Sequence, residues 1–462
     1  MCSNSRCGKS QGDDALGNLR KHAQFVGEEY IDALCELGSR FSGKSMVHVN
    51  STYYGGGVAE MLNSYAPLLN EAGLSTEWRL LRGDRDFFMA TKKMHNSLQG
   101  MNEQLTSQEI SRYEETISGN AAIMKLDWYD MVVIDDPQPC GLISRYSRKS
   151  PSLYKSLPIL MSLPELQKRQ PWVWRCHLDL TSPNRRAWAY LRRYLKHYDA
   201  IVVSARQYMT RMKKPHHFIA PAIDPLSEKN RPMQSSEISR CLSKNGITSE
   251  KPMILQVSRF DPWKDPLGVI EVFRKVRKKT DCQLVLMGSM ASDDPEGDAI
   301  FKQVFKAAEG DDDIYLITLQ SDRLVNALQR RADVVVQKSL REGFGLTVSE
   351  AMWKGTPVVA SHVGGIPLQI EDGKNGYLCD GIGDCAAKVE HVLRNPKQSA
   401  AMGKAAAEKV RQNFLITRLV KDEMALFGSM THSPSMRYLR SQQELMLSLV
   451  KKFGGALQKL VG

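Results

Sequence analysis

MILQVSRFDPWKDPLGVIEVFRKVRKKTDCQLVLMG, residues 253–288, contains one complete turn of the fold's repeating unit. MILQV is a short apolar run, the form taken by a strand buried on both faces. After the polar loop SRFDPWKDP, the apolar residues of GVIEVFRKVRKK recur at helical spacing, and QLVLMG (283–288) is a second buried strand. The alternation continues through DIYLIT (313–318), ADVVVQ (332–337) and TPVVAS (356–361), separated by the helical segments DAIFKQVFKAAEG, RLVNALQRR and TVSEAMWKG. Upstream lies a parallel series: MVHVN (46–50), the loop STYYGGG, the helix VAEMLNSYAPLLNEAG (58–73) closed by Gly73, then MVVIDD (131–136) and AIVVSA (200–205). Two successive series of alternating strands and helices predict an α/β protein of two doubly wound, Rossmann-like domains. The expected division is an N-terminal extension (1–40), a first domain (41–228), a second domain (229–412) and C-terminal helices packing back on the body (413–462), with the polar stretch 226–250 as connector.

At 462 residues, 42% of them hydrophobic, the chain carries enough apolar material for two cores and is neither fibrous nor disordered. No run approaches the roughly 18 apolar residues of a membrane span, and MCSNSRCGKSQGDD lacks the apolar centre of a secretory signal, so a cytoplasmic setting is expected. The nine cysteines form no C-x-x-C pair and read as reduced thiols. The formal charge of +12 is uneven: residues 141–217 hold sixteen Lys or Arg against three acids, a surplus of 13 that leaves the rest of the chain near neutral.

EGFGLTVSE joins a strand-end carboxylate, Glu342, to a glycine turn and a helix start, with Glu350 within the first helical turns. The amides of Leu346 and Thr347 would face a phosphate, while the glycines let it approach the main chain. In VSRFDPWKDP, Arg259 and Lys264 follow the first strand of the same domain, and two cations there suit a pyrophosphate. Gly55, Gly56 and Gly57 form a bare loop between strand and helix in the first domain. WVWRCHLDL (172–180) sets Arg175, His177 and Asp179 at alternate positions, facing one side if the strand continues. Asp136 and Gln138 lie in an Asp-Pro-Gln-Pro turn after another strand. Neither a G-x-G-x-x-G nor a G-x4-G-K-[ST] motif occurs, which argues against a dinucleotide cofactor and a nucleotide triphosphatase.

Taken together, the Glu-x7-Glu segment, the Arg-x4-Lys pair, the glycine loop and the strand-end histidine resemble the retaining GT-B glycosyltransferases, the group of glycogen synthase and sucrose synthase. HVNSTYYGGGVAEML, DDPQP, WRCHLDL, APAIDPLSEKN and VSRFDPWKDP are similar to the blocks of the trehalose synthases that join nucleotide-activated glucose to free glucose. The resemblance covers roughly residues 40–430. It implies two facing domains with the active site between them and transfer with retention to give α,α-trehalose, reversibly, from donors such as UDP-glucose or ADP-glucose. By the same resemblance Arg259 and Lys264, with Gly56, Gly57, Leu346 and Thr347, hold the donor diphosphate. Glu342 binds the donor glucose, Glu350 the ribose and His177 the region of the anomeric carbon, while Asp136, Gln138, Arg175 and Asp179 orient the acceptor. No enzymic nucleophile is implied. No metal site and no obligatory cofactor are expected; Mg²⁺ accompanies the nucleotide at most as a stimulant, and Asp135-Asp136 is read as an acceptor turn. The expected partners are small molecules (nucleotide sugar, glucose, trehalose), with no nucleic acid, no membrane span and a homodimer as the assembly.

Two rivals bear on this expectation. A trehalose phosphorylase of the same fold would use phosphate in place of a nucleoside diphosphate. A nucleic-acid-binding protein would use the basic segment 141–217, where Arg185, Arg186, Arg192 and Arg193 interleave with Trp188, Tyr190 and Tyr194. The spacing of NRRAWAYLRRYLKHY is equally that of an amphipathic helix with Trp188, Leu191 and Leu195 inward, and a solvated cationic face is the favoured account. The last segment carries Met446, Leu449, Val450, Phe453, Leu457 and Leu460 at helical spacing and is expected to dock on this protein or a second subunit.

Overall fold

The computed structural model describes residues 17–53, 56–146, 170–247, 250–288 and 295–431. Gly55, the 147–169 part of the basic segment and the tail helix expected around Met446–Leu460 lie outside the described residues.

Among the described residues the strands form two six-stranded sheets, with every adjacent pair parallel. The first sheet contains β1 (Ser45–Asn50), β2 (Ser75–Leu80), β3 (Met131–Asp135), β4 (Trp172–Cys176), β5 (Ala200–Val203) and β6 (His216–Phe218), in the order β2-β1-β3-β4-β5-β6. The second contains β7 (Met253–Val257), β8 (Gln283–Met287), β9 (Ile314–Ile317), β10 (Val334–Gln337), β11 (Val358–Ser361) and β12 (Tyr377–Cys379), in the order β12-β11-β10-β7-β8-β9. Both orders reverse direction once, between β1 and β3 and between β7 and β10. An open parallel sheet binds ligand beyond the carboxyl ends of the strands at such a reversal.

Alternate residues of the central strands feed the two faces of each sheet. In the first domain Val47, Val49, Val132, Ile134, Trp172 and Trp174 enter one core, and Met46, Met131, Val133 and Val173 the other. In the second, Leu255 and Val335 face one core while Ile254, Val334 and Val336 face its opposite. Helices cover both faces. The helix Gly57–Ala72 ends where Gly73, at φ +115°, adopts the left-handed turn that a side chain would strain.

Residues before position 40 are more than an extension. Leu19, Ile31 and Leu34 are buried in the first domain's core, and His22 Nε2 lies 3.1 Å from Asp224 Oδ1. The chain crosses between domains at Ile223 and again at Leu415, where the two passes pair: Ile223 N–H donates to Phe414 O at 2.8 Å and Ile416 N–H to Ile223 O at 2.8 Å. The last described helix, Ile416–Thr431, therefore returns to the first domain and packs Ile416, Leu419, Val420, Met424 and Phe427 into its core.

Three strands have no counterpart in the expected set: β2, β6 and β12. Each lies at a sheet edge: β2 is largely polar, and β6 and β12 are three residues each, too short to read as apolar runs.

Candidate active site

The carboxyl ends of both sheets face one cleft of about 620 Å³ lined by both domains. Contacts across it are direct. Tyr208 Oη of the first domain donates to the carbonyls of Glu342 and Gly343 at 2.8 and 3.0 Å, and Trp263 Nε1 of the second donates to Asn96 Oδ1 at 3.3 Å. A Cβ on Gly343 would stand 1.8 Å from the carbonyl oxygen of His177, so main chain meets main chain there.

On the second domain's wall, β7 ends at Val257 and delivers Arg259, Asp261 and Lys264, while β10 ends at Gln337 and delivers Glu342. Lys264 Nζ lies 2.6 Å from Glu342 Oε2, which also accepts from Ser339 Oγ at 3.0 Å and Gln337 Nε2 at 3.2 Å. The Arg259 guanidinium is 3.5 Å from Asp261 Oδ2, and Lys92 Nζ of the first domain is 3.6 Å from the same oxygen. Burial opposes ionisation of Asp261, yet Lys92 and Arg259 together hold it below the ordinary carboxylate range.

Gly345, at φ +86°, starts the helix Leu346–Trp353, and Leu346 and Thr347 line the cleft at its N-terminus. One turn on, Glu350 Oε2 accepts from Gln329 Nε2 at 3.3 Å, and Glu350 Oε1 is 3.7 Å from Lys229 Nζ. The same ammonium lies 2.5 Å from Glu60 Oε2 of the first domain, so Lys229 ties carboxylates of both domains. Gly56 and Gly57 face this helix start, and a Cβ on Gly57 would come within 2.8 Å of Leu346 Cδ1.

Across the cleft, Asp136 sits at φ +68°, a strained position for a residue with a side chain, and its Oδ1 accepts the His177 N–H at 2.8 Å. Burial pushes the Asp136 carboxyl up, and His177 opposes that push. Asp135 behind it joins two imidazoles: His177 Nε2 at 3.1 Å on one oxygen and His48 Nδ1 at 2.9 Å on the other, with Tyr65 Oη 2.8 Å from His48 Nε2. Despite burial, which opposes it, the neighbouring His48 and His177 hold the Asp135 carboxyl well below its usual range. Gln138 lines the cleft, and its buried Oε1 has no hydrogen-bond partner among the described residues.

Arg259, Lys264, Glu342, Gly56, Gly57, Leu346, Thr347, Glu350, Asp136, Gln138 and His177 thus share one cleft. Arg175 and Asp179 do not line it, which corrects their expected placement. β4 stops at Cys176, and the captured His177 N–H turns the chain out of the strand, so the alternation that would have aligned the three side chains is lost. Arg175, 1% exposed, points beneath the sheet to an ion pair with Glu423 of the last described helix. Asp179 is turned inward, accepting Thr181 N–H at 2.9 Å and Thr181 Oγ–H at 2.5 Å, with Arg341 3.7 Å away.

Lys92, His95 and Gln99 of the helix Arg85–Leu98 and its C-cap also line the cleft, and no sequence motif singled them out. Their spacing of three and four residues is that of any solvated helix face, and only the apposed second domain distinguishes them. In the basic segment, the helix Arg185–Leu195 buries Tyr190 and Tyr194 with Leu191 and Leu195, and Trp188 is only partly buried against that core. The two tyrosine hydroxyls lie 3.0 Å apart and both face Glu114. Aromatic faces needed for base stacking are therefore used in the core, and the cations form the helix's solvated face.

Among the described residues no group of three or more His, Cys, Asp or Glu is arranged as a metal site, and no described helix is long and apolar enough to cross a membrane.

Comparison with known proteins matches residues 48–158 and 157–210 to the family "Trehalose synthase, N-terminal domain" and residues 239–409 to "Glycosyl transferases group 1". The chain is 41% identical over 419 residues to the trehalose synthase of Pyrococcus horikoshii, spanning 89% of this chain and 96% of that protein. It is 43% identical over 427 residues to the trehalose synthase of Rubrobacter xylanophilus, spanning 91% and 98%. A trehalose phosphorylase of Grifola frondosa is 30% identical over 82% of this chain, but the match spans only 56% of the phosphorylase. Among solved structures, sucrose-phosphate synthase from Thermosynechococcus elongatus superposes with a TM-score of 0.63 at 15% identity, covering 84% of this chain and 99% of that one. At that identity the likeness speaks for the two-domain GT-B fold alone.

Proposed function

The chain belongs to the trehalose synthase family of glycosyltransferases, and from that premise we propose that it moves glucose from a nucleoside-diphosphate glucose to free glucose, with retention, giving α,α-trehalose and the nucleoside diphosphate. The carrying observation is one cleft that sets Arg259, Lys264 and Glu342 opposite Asp136, Gln138 and His177.

In this reaction Arg259 and Lys264 hold the diphosphate, and the amides at Leu346 and Thr347 add the positive end of their helix. Glu350 accepts hydrogen bonds from the ribose, and Glu342 from the donor glucose. As the bond from the anomeric carbon to the diphosphate oxygen breaks, negative charge grows on the leaving oxygen, and the fixed cations stabilise it. The acceptor hydroxyl attacks from the same face. Its oxygen bonds to the anomeric carbon and its proton passes to the departing phosphate oxygen, so no enzymic nucleophile or obligatory cofactor is required. His177, held at its backbone by Asp136 and at Nε2 by Asp135, presents a fixed imidazole beside the reacting carbon. Asp136 and Gln138 orient the acceptor. Catalysis is then positioning plus charge stabilisation, and the same contacts serve the reverse transfer.

The test is a panel of UDP-, ADP-, GDP- and dTDP-glucose with free glucose, with the anomeric configuration of the product read by NMR. Formation of α,α-trehalose from at least one donor is expected. Release of glucose 1-phosphate from trehalose with phosphate, and no transfer with any nucleotide, would overturn the proposal in favour of a phosphorylase.

A further inference from the structure

His95 is unused by the mechanism above, and its surroundings ask for a ligand. It lies on the helix Arg85–Leu98, whose cleft-lining residues Phe88, Thr91, Lys92 and His95 stand at i, i+3, i+4 and i+7 and so form one face. Its Nδ1 is buried, with no hydrogen-bond partner among the described residues. The same holds for Oε1 of Gln138 in the same cleft. Leaving such an atom unsatisfied is costly, and unsatisfied buried groups are rare in native proteins. Gln337 Oε1, on the second domain's wall of the cleft, is likewise without a partner among the described residues, so three such atoms line a cleft that a polar ligand completes.

The chemistry of that ligand follows from charge. Burial pushes the His95 imidazole down to about 4, and the nearby cations Lys92 and Arg259 push the same way, with Asp261 and a hydrogen bond to the Asn96 side chain opposing. The ring is therefore neutral at ordinary pH and is no anchor for phosphate. A neutral ring nitrogen pairs well with a hydroxyl, which both donates and accepts. The positive charge of Lys92 is already met by Asp261, 3.6 Å away. His95 is carried by the first domain, as Asp136 and Gln138 are, and it faces Arg259 and Asp261 of the second domain.

We infer that His95 is a specificity-determining residue, its Nδ1 hydrogen-bonding one hydroxyl of the acceptor sugar while Gln138 Oε1 takes another. The inference deepens the proposed transfer to a sugar hydroxyl and rests on it.

The test compares wild type, His95→Leu and His95→Asn in steady-state transfer to glucose and to its 2-, 3-, 4- and 6-deoxy analogues, with melting curves for each protein. His95→Leu removes the nitrogen; His95→Asn keeps a polar atom near the Nδ1 position. His95→Leu should raise the KM for glucose about tenfold with kcat and donor KM changed much less, and His95→Asn should recover part of the loss. One deoxy analogue, lacking the hydroxyl bound by His95, should be used equally well by wild type and His95→Leu. An unchanged glucose KM in a folded variant, or the same loss with every analogue, overturns the role of His95. If His95→Leu fails to fold, the analogue comparison is made with His95→Asn under the same criterion. Wild type that transfers to no sugar overturns the proposed function as well, which separates the two failures.

Discussion

Removing Lys264 should separate its two tasks, neutralising Glu342 and stabilising the leaving diphosphate. In Lys264→Ala the carboxylate of Glu342, 8% exposed, loses the ammonium at 2.6 Å but keeps Ser339 Oγ at 3.0 Å and Gln337 Nε2 at 3.2 Å. Breaking a fully buried ion pair from one side costs about 3–5 kcal/mol. Two surviving hydrogen bonds and the partial exposure of Lys264 bring the stability loss here to about 1–2 kcal/mol. Losing a preorganised charge at the leaving group costs about 3–4 kcal/mol of transition-state stabilisation, a fall in kcat of roughly 10²–10³. Lys264→Ala with Glu342→Gln removes the stranded carboxylate, so it should regain most of the stability and none of the turnover. Thermal melts and initial rates at saturating donor and acceptor measure both. A single variant within threefold of wild-type kcat, or a double variant that restores turnover, would refute the assignment of Lys264 to the leaving group.

Further outcomes concern residues around that centre. Arg175→Met should strand Glu423, whose Oε2 already lacks a partner among the described residues, and cost about 3–5 kcal/mol in a melt while leaving the acceptor KM unchanged; a raised acceptor KM with an unaltered melting temperature would return Arg175 to the acceptor site. Asp135→Asn should destabilise the protein by about 1.5–3 kcal/mol at pH 7. Because the folded carboxyl of Asp135 is depressed, its stabilisation is present above the ordinary aspartate range and is lost as pH falls through the folded value, so denaturant titrations should show the gap to wild type shrinking in acid. A constant gap at every pH would contradict the depressed carboxyl. Gly343→Ala places a methyl group 1.8 Å from the His177 carbonyl oxygen, and the resulting displacement of the two walls should lower kcat/KM by about 10- to 100-fold; full activity would show that the seam yields without cost.

The second domain was legible in the sequence because its central strands are buried on both faces and its site residues cluster just after strand ends. Glu342 and Glu350 share one loop and helix start, and Arg259 and Lys264 share one loop, so local spacing suffices to find them. Edge strands such as β2 and β12 were hidden because β2 mixes polar residues into its partly exposed run and β12 is only three residues long. Arg175 and Asp179 were misplaced because alternation holds only while the strand lasts, and the hydrogen bond that ends β4 comes from Asp136, 41 positions upstream of His177. His95 could not be read at all. Its significance comes from a loop some 165 residues away in sequence, Arg259 and Asp261, which brings charge to a helix face that would otherwise be solvated.

The return of the helix Ile416–Thr431 to the first domain also orders events during synthesis. Val133, Val173, Ala200 and Val202 share one core with Ile416, Leu419, Val420 and Phe427, and the buried Arg175 pairs with Glu423 of the same helix. Until that helix has been made, the first-made domain lacks part of this core and the Glu423 carboxylate that faces Arg175. Domains usually mature one after another as they emerge. Here the opening and closing segments of the fold complete each other, so a product truncated at the second crossing would lack part of the first domain's core and the carboxylate partner of Arg175.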